Sequence, residues 1–176
     1  MSDTVLNTAA ITRDVEFALR PGTDARSALA DALGIRAVRK LSFTGHIAPE
    51  GASDLLLEAS LGATVVQDCV VTGDPVTTRI DEPVLRRYLA GMEDPEGDEA
   101  EMPEDDTAER LPAEIDLADV MREALALALP PWPRAEGVEP VDVTVTEPGK
   151  EPMTEEDARP FAGLKALRDQ LKDGDT

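Results

Sequence analysis

The side chains that could perform chemistry in this sequence are one cysteine, one histidine and many carboxylates. Cys69 stands in the turn-rich segment Asp68-Cys-Val-Val-Thr-Gly-Asp-Pro-Val76. As a nucleophile it would need a base and an orienting group, and His46 is the only imidazole that could supply the base. Because free cysteines are usually buried, we interpret Cys69 as a small hydrophobic residue at a strand end and His46 as a structural residue.

Metal and cofactor sites have no support in the sequence. A structural zinc site needs a full set of Cys and His ligands, which a chain with one of each cannot supply. Its glycines also lack the spacing that cradles a phosphate. The sequence therefore predicts no metal, no cofactor, no catalytic residue and no small-molecule substrate.

The whole chain has a net charge of -20, and its carboxylates are concentrated in the second half. Residues 1–90 hold 12 acids against 9 bases, whereas residues 91–176 hold 25 acids against 8 bases. Such a run of acids is solvated and unsuited to acid–base catalysis, which needs carboxylates in a shielded pocket. It is either a surface that attracts a basic protein or imitates nucleic acid phosphate, or a solubilising linker. The candidate protein-binding residues are Glu93, Asp94, Glu96, Asp98, Glu99, Glu101, Glu104, Asp105 and Asp106.

A smaller basic pattern offers an alternative. If their strands are neighbours, five basic residues could form one face that contacts RNA phosphates; otherwise they are solvated strand surface. The strongly negative net charge opposes nucleic acid binding, which depends on counterion release by Lys and Arg, so a basic protein partner is favoured. The five residues are Arg36, Arg39, Lys40, Arg86 and Arg87.

The elements that must position these residues follow from hydrophobic periodicity and turn residues. Residues 14–20 alternate as a half-buried strand, and a short helix capped by Thr23 or Asp24 ends before Gly34. Residues 35–89 read as strands with short connections, which pair antiparallel. We expect a register change within residues 36–47, a bulge near Gly62 and an edge or break at Pro83.

The most completely specified element is a helix within Ile115–Pro133. Asp116 is its predicted N-cap, with Asp119 as the capping-box partner, and Pro130 ends it. Leu117, Val120, Met121, Ala124, Leu125 and Ala128 form one apolar face at helical spacing. Such a face must pack on the sheet.

The predicted fold class is α+β, an antiparallel meander sheet with a few short packing helices and a long acidic loop. Residues 1–12 form a flexible N-terminus, and residues 13–133 form one domain that contains the acidic loop 91–113. Residues 134–176 form an extended acidic segment in which 141–145 alternates like a strand and 160–171 forms a short helix. The absence of a basic-apolar leader or a long apolar run predicts a cytoplasmic protein without membrane contact.

Three motifs follow one another along the chain. The first is Cys69-Val-Val-Thr-Gly-Asp-Pro-Val76, with Cys69, Pro75 and Val76 as its matching residues. The second runs from Ile115 through Asp116 and Leu117 to Pro130. The third is Pro160-Phe-Ala-Gly-Leu-Lys-Ala-Leu, with Pro160, Phe161 and Leu164 matching. In this order the three motifs resemble those of a known family, the YceD-like large ribosomal RNA subunit accumulation proteins.

The resemblance implies a non-enzymatic role in the synthesis, processing or stability of large-subunit ribosomal RNA, and hence in ribosome assembly. With the charge pattern, it makes the expected partner a basic ribosomal protein or large-subunit assembly factor, with RNA contacted indirectly or, alternatively, directly. The chain departs from the many family members with paired cysteines. Thr72 stands in the second cysteine position and residues 132–137 contain no cysteine, which argues against a metal.

Overall fold

The computed structural model describes residues 4–92, 105 and 107–138. The chain divides into two units, residues 1–138 and 139–176, and the described residues belong to the first. Two sheets and two α-helices confirm the predicted α+β class. In chain order the elements are β1 (Val5–Asn7), a 3-10 turn (Thr8–Ala10), β2 (Val15–Leu19), α1 (Thr23–Ala32), β3 (Ala37–Glu50), β4 (Asp54–Asp68), β5 (Pro75–Leu89), β6 (Ala108–Arg110), β7 (Glu114–Asp116) and α2 (Leu117–Ala128).

The main sheet has the strand order β2-β3-β4-β5-β6. Its first four strands pair antiparallel in sequence order, as short connections require. Gly51 and Gly73 have φ angles of 65° and 74° in the two turns that join β3 to β4 and β4 to β5, a conformation that favours glycine. The short strand β6 instead pairs parallel with the end of β5.

Of the strand irregularities predicted from the sequence, only the bulge is wrong. The register change lies between Val38 and Lys40 in β3, as predicted. The expected bulge near Gly62 is wrong, because β4 keeps continuous register with both neighbours through that residue. β5 also runs unbroken through Pro83, which lies at an open edge because β6 covers only Arg87–Leu89.

The N-terminal residues are more structured than the sequence predicts. Val5–Asn7 pair antiparallel with Glu114–Asp116, and the amide of Leu117 donates to the carbonyl oxygen of Thr4 at 2.9 Å. Ile11 is buried in the core. These long-range contacts fix residues that were expected to be flexible, and a three-residue strand is too short to show a period in the sequence.

The two helices differ in how they begin. In α2 the predicted N-cap is confirmed, because Asp116 Oδ1 accepts from the amide of Ala118 at 2.8 Å. Asp119 makes no capping box with it and instead accepts from Arg122 Nη2 at 3.0 Å. The cap predicted for α1 is wrong: Gly22 occupies the N-cap without a side-chain bond, and Thr23 is the first helical residue.

The core lies between the helices and one face of the sheet. The central strands contribute Phe43, Ile47, Leu57, Leu61 and Val65, all fully buried. Packing of α2 on the sheet, as predicted, adds its own buried side chains to the same cluster; they are Leu117, Val120, Met121 and Leu125.

Candidate functional site

The acidic segment, residues 93–109 of the predicted acidic loop, is described by the structure only at its base. Of the candidate protein-binding residues, only Asp105 is described; Glu93, Asp94, Glu96, Asp98, Glu99, Glu101, Glu104 and Asp106 lie outside the described residues. The two flanks of the segment meet at one point, because the carbonyl oxygen of Leu89 accepts from both Met92 N at 3.4 Å and Leu111 N at 3.1 Å. The acidic chain therefore leaves the sheet and returns to it at the same strand end.

Asp105 is held at this base by several donors. Its Oδ1 accepts from the hydroxyl of Thr107 at 2.6 Å and from the amide of Thr107 at 3.0 Å. Its Oδ2 lies 3.4 Å from Arg87 Nη1. The bonds from Thr107, aided by Arg87, hold the pKa of Asp105 below its ordinary value, so this carboxylate is charged at neutral pH.

Arg87 links the base of the acidic segment to the outer end of β3. Its Nε donates to Glu50 Oε2 at 3.1 Å while Nη1 reaches Asp105. Its backbone amide also donates to the carbonyl oxygen of Thr107 at 2.9 Å. This arginine is consequently committed to carboxylates of its own chain.

Arg86 points to the opposite face of β5 and is paired as well. Its Nη1 lies 2.7 Å from Glu109 Oε1 and its Nη2 lies 2.8 Å from Glu123 Oε2, which ties β5 to β6 and α2. Burial disfavours the charged guanidinium, but the bond to Glu123 and the charge of Glu109 raise the pKa of Arg86 overall. The neighbouring Tyr88 is buried, and burial together with Glu109 raises its pKa to about 12.

The five basic residues do not share one patch. Val38, beside Arg39 and Lys40, pairs with Val65, whereas Arg86 pairs with Leu57. Those two β4 positions are separated by about 27 Å at ~3.4 Å per residue. Arg36 pairs with Asp68 at 2.7 Å. Arg39 and Lys40 are exposed and have no ion pair to any residue that the structure describes.

Cys69 is buried and serves as a hydrogen-bond acceptor. Its Sγ accepts from the amides of Ala135 at 3.3 Å and Thr72 at 3.5 Å. Hydrogen bonding by the Thr72 side chain, followed by the Ala135 amide, lowers the pKa of Cys69 to about 7. His46 pairs with Glu58 instead, 3.5 Å away in mid-sheet, so the structure does not bring the cysteine and the histidine together.

Hydrogen bonds between flanking residues hold the first family motif beside the end of the second. The amide of Val70 donates to the carbonyl oxygen of Pro133 at 2.9 Å, and Gln67 Nε2 donates to that of Pro130 at 3.1 Å. Pro75 and Val76 begin β5 in the first motif, and the second contributes the cap Asp116 and buried Leu117. Pro160, Phe161 and Leu164 of the third motif lie outside the described residues, as do the predicted strand 141–145 and helix 160–171.

Sequence reasoning missed the partners that organise this site. Glu109 and Glu123 neutralise Arg86 from separate elements, and Gln67 is a buried polar residue that fixes the turn after α2. No local spacing connects these positions. The only available signal was parity: neighbouring residues of a strand face opposite sides, so Arg86 and Arg87 could not share a face.

Within the described ranges there is no group of three or more His, Cys, Asp or Glu side chains arranged to hold a metal ion. Those ranges also contain no helix with the length and apolarity needed to cross a membrane. Pairing, burial and hydrogen bonding account for Cys69, His46, Arg86 and Arg87. The described geometry therefore defines an α+β protein in which the flanks of the acidic segment meet at one sheet end and the Cys69 turn meets the loop after α2 at the other.

Comparison with protein families gives a match over residues 57–168 to the model described as large ribosomal RNA subunit accumulation protein YceD. The match covers more than half of the chain and includes all three motifs. The chain therefore belongs to the YceD family. No match was found among curated proteins or among solved structures.

Proposed function

We propose that this protein promotes the accumulation of large-subunit ribosomal RNA in the cytoplasm by binding a basic ribosomal protein or assembly factor, without catalysis. Family membership supports the ribosomal role. The observation that carries the binding mode is the pinning of both flanks of the acidic segment to the carbonyl oxygen of Leu89. Both ends of the segment are therefore anchored at one place on the sheet.

The described cations at the base of the segment pair with only a small part of its charge, namely Glu109 and Asp105. Residues 93–109 contain ten acids and no base. Arg86 and Arg87 are already paired with carboxylates of the base and its neighbours. Complementary charge accelerates association and selects partners, and it is screened beyond about 8 Å at physiological salt. The proposal therefore requires a salt-sensitive interaction with a cationic protein.

The direct test replaces residues 93–104 with a Gly/Ser linker of equal length, which leaves Asp105 and its bonds intact. We expect the variant to bind purified basic large-subunit ribosomal proteins at least about tenfold more weakly at low ionic strength, with the difference shrinking as salt rises. A matched variant, in which each acid of residues 93–104 becomes Asn or Gln, should lose binding equally. Unchanged binding by both folded variants contradicts the proposal.

Direct RNA contact is a second candidate, supported by a different part of the molecule. Arg39 and Lys40 are exposed and unpaired within the described residues, at the sheet end where the Cys69 turn contacts Pro133. Trp132, which precedes that proline, is 74% exposed and offers an aromatic surface for stacking on an unpaired base. Quenching of this single tryptophan by ribosomal RNA, reduced in Arg39→Gln/Lys40→Gln, would favour this candidate.

A further inference from the structure

A groove of about 530 Å³ lies between the free edge of β5 and the second half of α2. Its apolar lining residues are Pro83, Val84 and Leu85 of β5 and Ala124, Leu127 and Ala128 of α2. Leu127 is 85% exposed, the greatest exposure among the large apolar side chains that the structure describes. The opposite side of α2 is buried in the core, so Leu127 makes no comparable contribution to folding.

The strand edge in the groove limits how a ligand can bind. The Arg87 amide and the Leu89 carbonyl oxygen form their hydrogen bonds on the β6 side of β5. The odd-numbered residues of β5 therefore direct their amide and carbonyl groups away from β4. Pro83 occupies such a position and has no amide to donate. A continuous partner strand therefore cannot pair along this edge, and insertion of a side chain into the groove is the remaining mode.

The charges around the groove identify the occupant. Glu82 and Glu109 stand among its lining residues. Arg86 is the only cation among the described lining residues, and it is already paired with Glu109 and Glu123. Apolar lining residues beside an excess of carboxylates, with Glu82, Glu109 and Glu123 against Arg86 alone among the described residues, are complementary to an aliphatic side chain flanked by Lys or Arg.

The groove also adjoins the end of the acidic segment. Thr107 and Glu109, which belong to the end of that segment, line it. A cationic segment attracted by the acids is thereby delivered beside an apolar surface. We propose that the groove binds a basic protein segment through a bulky aliphatic side chain, an inference that takes the class of partner from the proposed function.

The test uses the full-length protein and two short lysine-rich peptides that differ only in a central pair of residues, leucines in one and serines in the other. Fluorescence anisotropy gives both dissociation constants. The wild-type protein should prefer the leucine peptide by about tenfold, the effect of burying part of one aliphatic side chain.

Leu127→Glu separates the groove from simple charge attraction. This variant removes the apolar side chain and adds a negative charge, so attraction alone predicts tighter binding of both peptides. The groove instead predicts that the leucine preference falls to about onefold. Val70→Glu is the matched control, since Val70 is 51% exposed and lies at the other end of the sheet. It should retain the preference.

Equal binding of both peptides to the wild-type protein, or a preference that survives in Leu127→Glu, overturns the groove proposal. Dissociation of a wild-type dimer by Leu127→Glu, measured by sedimentation, also overturns it because a second copy would then fill the groove. The linker variant of residues 93–104 keeps the two proposals distinguishable. If the acidic segment acts as proposed, that variant binds both peptides more weakly while the ratio of the two affinities is maintained. Unchanged affinities contradict the role proposed for the acidic segment, and the ratio of the affinities still tests the groove.

Discussion

Cys69 Sγ accepts a hydrogen bond from the amide of Ala135 at 3.3 Å, which joins the turn between β4 and β5 to the loop after α2. The Val70 amide reinforces the same junction by donating to the carbonyl oxygen of Pro133 at 2.9 Å. Two motifs far apart in the sequence thus form one structural unit. The cysteine acts there as an acceptor, a role that increases with its negative charge.

Replacing this acceptor should have a pH-dependent effect on stability. Because the Thr72 and Ala135 bonds lower the pKa of Cys69 to about 7, the folded state favours the thiolate. Its stabilisation is present above the unfolded pKa of about 8.5 and is lost as the pH falls through about 7. Urea unfolding should therefore show a larger stability loss for Cys69→Ala at about pH 9 than at about pH 6. A loss independent of pH would contradict the ionised acceptor.

Arg86 and Arg87 should differ in their contributions to stability, although they are adjacent. Arg86 Nη1 and Nη2 join Glu109 and Glu123 across three elements, and its side chain is 14% exposed. Arg86→Met leaves both carboxylates partly buried without their cation, which should lower the free energy of unfolding by about 1–3 kcal/mol. Arg87→Met should cost less, because the Arg87 side chain is 41% exposed and its ion pairs are screened by solvent.

The control for this comparison removes the stranded charges. Adding Glu109→Gln and Glu123→Gln to Arg86→Met should recover part of the lost stability, since neutral amides have a smaller desolvation penalty than carboxylates. Chemical denaturation of the wild type, Arg86→Met, Glu109→Gln/Glu123→Gln and the triple variant measures the coupling between Arg86 and the two glutamates. Equal losses for Arg86→Met and Arg87→Met would show that the bridge to α2 does not stabilise the fold.

The helix α2 could be predicted almost completely from the sequence, because its determinants are local. Its cap at Asp116, its buried face and its end before Pro130 all lie within one short segment. The pairing of Val5–Asn7 with Glu114–Asp116 could not be predicted, because each strand is too short to have a readable period. The neutralisation of Arg86 was equally inaccessible, since Glu109 and Glu123 reach it through the tertiary fold.

Two glycines of the sheet should respond differently to alanine. A Cβ at Gly45 would lie 2.2 Å from the carbonyl oxygen of Glu58 and 2.5 Å from the Cα of Ala59, and these backbone atoms cannot move aside without breaking the pairing of β3 with β4. Gly45→Ala should destabilise the fold by about 3 kcal/mol or more. Thermal unfolding provides the measurement.

Gly62→Ala is the matched control in the neighbouring strand. There a Cβ would meet Ser42 Oγ at 2.9 Å and Arg79 Nη2 at 3.1 Å, both at the ends of side chains that can rotate. The expected loss is below about 1 kcal/mol. A loss as large as that of Gly45→Ala would mean that Ser42 and Arg79 are held as firmly as the backbone.

Truncating side chains on the two faces of α2 should affect stability differently, which separates folding from binding. Leu125 is fully buried, so Leu125→Ala should lower the free energy of unfolding by about 2–5 kcal/mol through lost burial and the cavity left behind. Leu127 is 85% exposed, so Leu127→Ala should change stability by less than about 0.5 kcal/mol. Urea unfolding of both variants measures this difference. If Leu127→Ala leaves the fold intact and also abolishes the preference for the leucine peptide, the side chain acts in recognition, because neither lost folding nor altered charge can explain the change.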